Sequence, residues 1–202
     1  MPIDALQKST IEAAFSAAQQ RTRAPIVCVL ARASASYEFA PLLASGFLGL
    51  LTPWPLLMFT QLSAQRIFLA QLVVCFVASA ILMLSRLRFL LTPRSAQRAN
   101  AHRAALTQFQ LRELDRIAER SGVLIYVSLA ERYARVIAAE SAAQAIAQGH
   151  WQAFVDALVV DIRERGPAEA LASAASRCAD VLAPAFPPTG APPQHRQHFH
   201  VI

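Results

Sequence analysis

Two long stretches without a single charge, four residues apart, constrain this chain more than any other feature in it. From Phe39 to Leu62 it reads FAPLLASGFLGLLTPWPLLMFTQL, and from Ile67 to Ser85 it reads IFLAQLVVCFVASAILMLS. A helix needs about 20 residues to cross about 30 Å of hydrocarbon, and each run is near that length. Only Ser63-Ala64-Gln65-Arg66 lies between them. Spans with so short a link must be antiparallel and adjacent, which predicts a transmembrane hairpin. The competing reading, a helical pair buried in a soluble core, fits poorly with uncharged stretches of this length.

Pro53 and Pro55 leave two readings of the first run open. They kink one span whose freed carbonyls find other partners, or they interrupt it near Thr52 so that it re-enters after Pro55. Trp54 suits the headgroup level in the second case. Gly46 and Gly49, with Ala44 and Ser45, offer a small-residue face for close packing against the second run.

Arginine sets the orientation. Arg21, Arg23 and Arg32 precede the hairpin; Arg86, Arg88, Arg94, Arg98 and Arg103 follow it; the connecting turn holds only Arg66. The positive-inside rule then places both termini in the cytoplasm, in a multi-pass protein of the bacterial inner membrane. The formal net charge of +6 comes mostly from arginine, Lys8 being the one lysine. Flanking arginines of this kind meet anionic headgroups, so nucleic acid is not an expected partner. Residues 1–20 carry Asp4, Lys8 and Glu12 and no apolar h-region, so no signal peptide is expected there. Cys28, Cys75 and Cys178 are odd in number and widely spaced, which argues against disulfides or a structural zinc site and for three small buried thiols.

The remainder reads as one α/β domain cut in two. Residues 3–20 place Leu6, Ile11, Ala14 and Phe15 on a helical stripe, with Ser9 or Thr10 as a cap. Ile26–Leu30 is a short buried strand. After the hairpin, residues 95–119 form an amphipathic helix with Leu106, Phe109, Leu114 and Ile117 on one face, ended at Ser121-Gly122 by a left-handed glycine. Val123–Leu129 and Tyr133–Ala138, joined by Ala130-Glu131-Arg132, give a β-hairpin signal. A helix over 150–165 is broken at Gly166-Pro167 and resumes over 168–183, before a proline-rich, extended tail. The expected division is therefore 1–36 and 91–184 as the two halves of one domain, 37–90 as the hairpin, and 185–202 as a Pro/His-rich tail. Three strands among helices call for a layered α/β domain, with the first strand pairing to those after the hairpin.

The strand Ile26–Leu30, the stretch GVLIYVSLAERYARVIA from Gly122, the helix after Trp151 and Phe186-Pro187-Pro188 together resemble the TPM domain family, including bacterial membrane members with a helical hairpin after the first strand. The resemblance spans nearly the whole chain. It implies a small α/β/α sandwich, interrupted here by the hairpin, in a family whose members include acid phosphatases, calcium binders and accessory proteins of membrane complexes. Calcium-binding members present acidic side chains at the strand ends. Here the stretch after the last strand offers Glu140, and the stretch after the first offers Ser34, Ser36, Tyr37 and Glu38. A calcium ion takes six to eight oxygens, roughly, which these residues do not readily assemble.

The other candidates are modest. His195, His198 and His200 could bind a divalent metal weakly, or belong to a solvated tail or a tail strand on the sheet edge. Glu131 and Arg132 are turn charges, with Arg135 in reach, or a contact for a partner or a phosphate. Asp156 and Asp161 fall on a solvated helix face, with Arg165 placed to pair with Asp161. His150 lacks a nucleophile and an orienting carboxylate. No catalytic, cofactor-binding or metal-ligating residue is assigned, and no cofactor is expected. The leading expectation is a non-enzymatic accessory or scaffold protein whose partners are the lipid bilayer and another membrane protein; a homo-oligomer is a further possibility. The alternative is a membrane-bound, metal-dependent phosphatase of the TPM type.

Overall fold

Ile26–Ala31, a run of branched and small apolar side chains, forms β1 and is buried along its whole length. A strand covered on both faces has no wet side, so IVCVLA carries no polar residue. The computed structural model describes residues 4–35, 39–84, 92–116, 120–188 and 198–202. Ser36, Tyr37, Glu38, Arg86, Arg88, Ile117, His195 and Arg196 lie outside the described residues. The elements run α1 (Ala5–Gln19), β1 (Ile26–Ala31), α2 (Phe39–Leu51), α3 (Pro53–Phe59), α4 (Ala64–Leu84), α5 (Arg94–Leu111), β2 (Val123–Ser128), β3 (Tyr133–Ala138), α6 (Glu140–Ala145), α7 (Gln148–Arg165), α8 (Pro167–Leu182) and β4 (Phe199–Val201). The chain divides into two units, Met1–Ser34 with Arg98–Ile202, and Ala35–Gln97.

In the first unit the described strands form a mixed sheet in the order β3-β2-β1-β4. β1 lies parallel to β2, with Ile26 opposite Val123 and Ala31 opposite Ser128. β2 and β3 are antiparallel, and Ser128 faces Tyr133. Strand alternation then sends side chains to two cores. Ile26, Cys28 and Leu30 pack with Phe15 of α1, Phe154 and Leu158 of α7, and Leu171 and Cys178 of α8. Val27, Val29, Leu124 and Tyr126 face Ala105 and Phe109 of α5, and Leu114. Helices thus cover both faces of a sheet whose first strand precedes the inserted segment and pairs with a strand after it.

Several local readings change. α5 stops at Leu111, and Leu114 is buried from the turn beyond it. Gly122 does not take the left-handed conformation; among described residues that region holds Glu113, Arg120, Arg132 and Gly166. Glycine is required at 122 for space: a Cβ there would lie 2.4 Å from the Leu114 carbonyl oxygen and 2.9 Å from its Cβ. Gly122→Ala is expected to cost about 2 kcal/mol, as overpacking against backbone does. Urea unfolding of the full chain in mild detergent reads it, and an unchanged midpoint refutes the close approach. Ser9 and Thr10 do not cap α1. Both donate back to the Leu6 carbonyl, and Asp4 takes the N-cap, its N–H donating to Gln7 at 3.1 Å. Leu6 itself is 79% exposed. A fourth strand, β4, is added by the tail's end; Glu12 accepts the N–H groups of His198 and Phe199, both at 2.8 Å, and holds it beside β1.

In the second unit, Pro41–Phe59 and Ala64–Met83 are each long and apolar enough to cross a membrane, and only 11% and 6% of them are buried. The proline pair does not end the helical path. Thr52 keeps helical dihedrals and donates its N–H to Leu48 at 3.1 Å, and Pro53 starts α3, where the missing N–H costs nothing. α2 meets α4 through small groups: Ser79 donates to Ser45 at 2.7 Å, and a Cβ on Gly49 would stand 3.1 Å from that of Cys75. Gly46, by contrast, faces open space. Phe47, Leu50, Phe59 and Phe76 are exposed.

Candidate functional site

Open α/β sheets bind ligands beyond the carboxyl ends of their parallel strands. In this chain that edge is formed by Ala31, Ser128 and the β2–β3 turn. The turn is anchored to the end of β1: Leu129 donates its N–H to Ala31 and Ala130 donates to Arg32, both at 3.0 Å. Glu131, 9% exposed, folds inward. It accepts the Ser34 N–H at 2.8 Å, the Ser34 hydroxyl at 3.4 Å and the Ser128 hydroxyl. The Ser34 hydroxyl also bonds the Tyr126 hydroxyl at 2.9 Å. Burial raises the Tyr126 phenol above its usual range; Glu131 and Tyr133 add to the rise and the bond to Ser34 opposes it.

Glu131 is therefore neither a solvated turn charge nor paired with Arg135, whose guanidinium reaches the Tyr133 hydroxyl at 3.4 Å. It clamps the point where the chain leaves β1 for the inserted helices. Its neighbour Arg132, held at φ +49°, lines a pocket with Arg163 on the other face of the sheet edge. Sequence reasoning singled out Glu131 and Arg132 but missed Ser34, Ser128 and Tyr126 as their company. Those partners are distant in sequence or sit in an apolar strand, and no local pattern joins them.

The remaining candidates are spread over the domain. His198 is buried, with Nδ1 3.2 Å from the Ile26 carbonyl oxygen. His200 belongs to β4. His150 is exposed in the first turn of α7, beside buried Trp151. Asp161 does not pair with Arg165. It is largely covered and meets Arg177 of α8 at 2.6 Å, because the two helices pack together after the turn at Gly166. Asp156 accepts a bond from Gln152 at 3.0 Å. Cys28 and Cys178 are fully buried; burial lifts both thiols, Cys178 to about 12 and Cys28 further. Cys75 is half-buried between the inserted helices. Among the described residues, no three His, Cys, Asp or Glu side chains gather closely enough to hold a metal ion.

Comparison with known proteins gives a fold and nothing more specific. No family model and no curated protein matches the chain. A solved structure, the NMR structure of BA42 protein from the psychrophilic bacterium Bizionia argentinensis, is similar to it with a TM-score of 0.62. The match is 12% identical and covers 100% of this chain and 97% of the other. At that identity the likeness shows a shared fold alone.

Proposed function

We propose that this chain is a TPM-like α/β domain fixed to the bacterial inner membrane by its inserted hairpin, with both termini in the cytoplasm, and that it acts as a non-enzymatic accessory protein presenting its sheet edge to a membrane-protein partner. The observation that carries the reading is the place of the insertion. Two apolar helices leave the domain at Ser34, after β1, and return into α5. α5 runs back along the sheet, since Leu114 beyond its end packs against Gly122 before β2. Both covalent links therefore join the domain at the carboxyl edge of the sheet, and one is clamped by Glu131. The stretch GVLIYVSLAERYARVIA, which carries the family resemblance, forms β2, the turn and β3 at this edge. The arginines flanking the hairpin support the orientation.

Affinity purification of the tagged full chain from carbonate-washed membranes tests the reading. The protein is expected to stay in the membrane and to bring down a stoichiometric membrane protein, which is lost when the hairpin is exchanged for an unrelated one. Recovery of the protein alone overturns the accessory role. A fluorescent reporter fused after Ile202 is expected to mature in the cytoplasm, and a periplasmic signal overturns the orientation.

A further inference from the structure

The β2–β3 turn sorts its charges to opposite faces of the sheet. Ser128 and Tyr126 point to the α5 side, and Glu131 follows them there through its hydrogen bonds. Val127 and Leu129 belong to the α7 side, and on that side Arg132 and Arg163 line a pocket of about 420 Å³. That volume lies within the range of roughly 300–1,000 Å³ typical of small-molecule sites. Ile162 completes an apolar wall beneath the two arginines.

Three arginines of this domain have carboxylate partners in other elements: Arg21 with Asp180, Arg120 with Glu140, Arg177 with Asp161. Among the described residues, neither the Arg132 nor the Arg163 side chain has an ion pair or a hydrogen bond. Arg132 is moreover held in the left-handed region at φ +49°, where a non-glycine residue is uncommon. Arg163 in the last turn of α7 complements the helix dipole, but that dipole amounts to about half a negative charge against two full positive ones. Two guanidinium groups without a partner on one pocket can both donate to an anion placed between them, and the planar fork suits phosphate oxygens best.

We propose that Arg132 and Arg163 form a pocket for the phosphate group of an anionic phospholipid. The choice of a lipid as the source rests on the membrane reading above. The apolar wall suits the glycerol and upper acyl carbons that follow the phosphate.

The test titrates phosphatidylglycerol, with phosphatidylcholine as the neutral control, onto the full chain in uncharged detergent and counts bound lipids by native mass spectrometry. The variant is Arg132→Gly with Arg163→Ala. Glycine accepts the left-handed backbone and position 163 is exposed, so the fold is kept, which circular dichroism checks. Wild type is expected to retain phosphatidylglycerol preferentially, and the variant to bind it at least tenfold more weakly. Equal binding by the two proteins overturns the pocket. Inorganic phosphate is the second probe: if it stabilises wild type but not the variant while phosphatidylglycerol does neither, the lipid source is overturned in favour of a soluble phosphate. Failure of the membrane reading is separately visible, as release of the protein by carbonate.

Discussion

Replacing Gln19 by Leu is expected to remove a large part of the α/β domain's stability in one step, about 3–9 kcal/mol. Gln19 ends α1 and is 8% exposed. Its amide donates to the carbonyls of Thr22 at 2.9 Å and Ala24 at 3.0 Å, and its oxygen accepts the Ile26 N–H at 2.9 Å. One side chain thus satisfies three backbone groups in the link from α1 to β1. Leucine has similar bulk but leaves all three buried without partners, at about 1–3 kcal/mol each. Against the 5–15 kcal/mol, roughly, that holds a domain folded, this is a large share. Gln19→Glu separates shape from hydrogen bonding: its oxygen still accepts from Ile26, but two carbonyls then face a carboxylate. The measurement is thermal unfolding of the full chain in mild detergent, followed by circular dichroism. A shift of only a degree or two for the leucine variant refutes the role assigned to the amide.

Gln19 also marks where sequence reading stops. The stripe on α1 is correct at Ile11 and Phe15, both fully buried, yet it includes exposed Leu6 and passes over Gln19. Periodicity reports which side chains dislike water. It cannot report a polar side chain drawn inward by carbonyls of the link that follows. The strands were legible for the opposite reason: β1 and β2 are unbroken apolar runs bounded by Pro25 and Gly122, and no local pattern competes with extension. For β4 the sequence left a solvated tail and a strand on the sheet edge both open, because Phe199–Val201 is a strand only through pairing with β1 and the Glu12 carboxylate. At the candidate site, Glu131 and Arg132 stood out as charges between two strands. What the alphabet of the turn does not contain is that one goes to each face of the sheet, since this follows from Ser34 and Ser128 on one side and the α7 pocket on the other.

The same geometry gives Glu131→Ala a different signature from Gln19→Leu. The loss removes the acceptor of the Ser34 N–H and of the Ser128 hydroxyl, which is buried. Hydrogen bonds to charged groups contribute about 1.5–3 kcal/mol each, and the Ser34 end is only half-buried, so a total near 3 kcal/mol is expected. The effect should be local before it is global. The Leu129 and Ala130 N–H groups bond to the end of β1, and with Ser34 unclamped this corner opens first. Hydrogen exchange of the full chain should therefore speed up around Ser34, Leu129 and Ala130, while Cys28 and Ile125 in mid-sheet stay protected. Glu131→Gln keeps one carbonyl oxygen for the Ser34 N–H and should fall between wild type and alanine. If Glu131→Ala lowers stability without faster exchange at Ser34, the carboxylate stabilises the turn alone and does not tie the hairpin's exit to the sheet. If the corner opens as expected while mid-sheet exchange is unchanged, the carboxylate holds the end of β1 to the β2–β3 turn without setting the stability of the whole sheet.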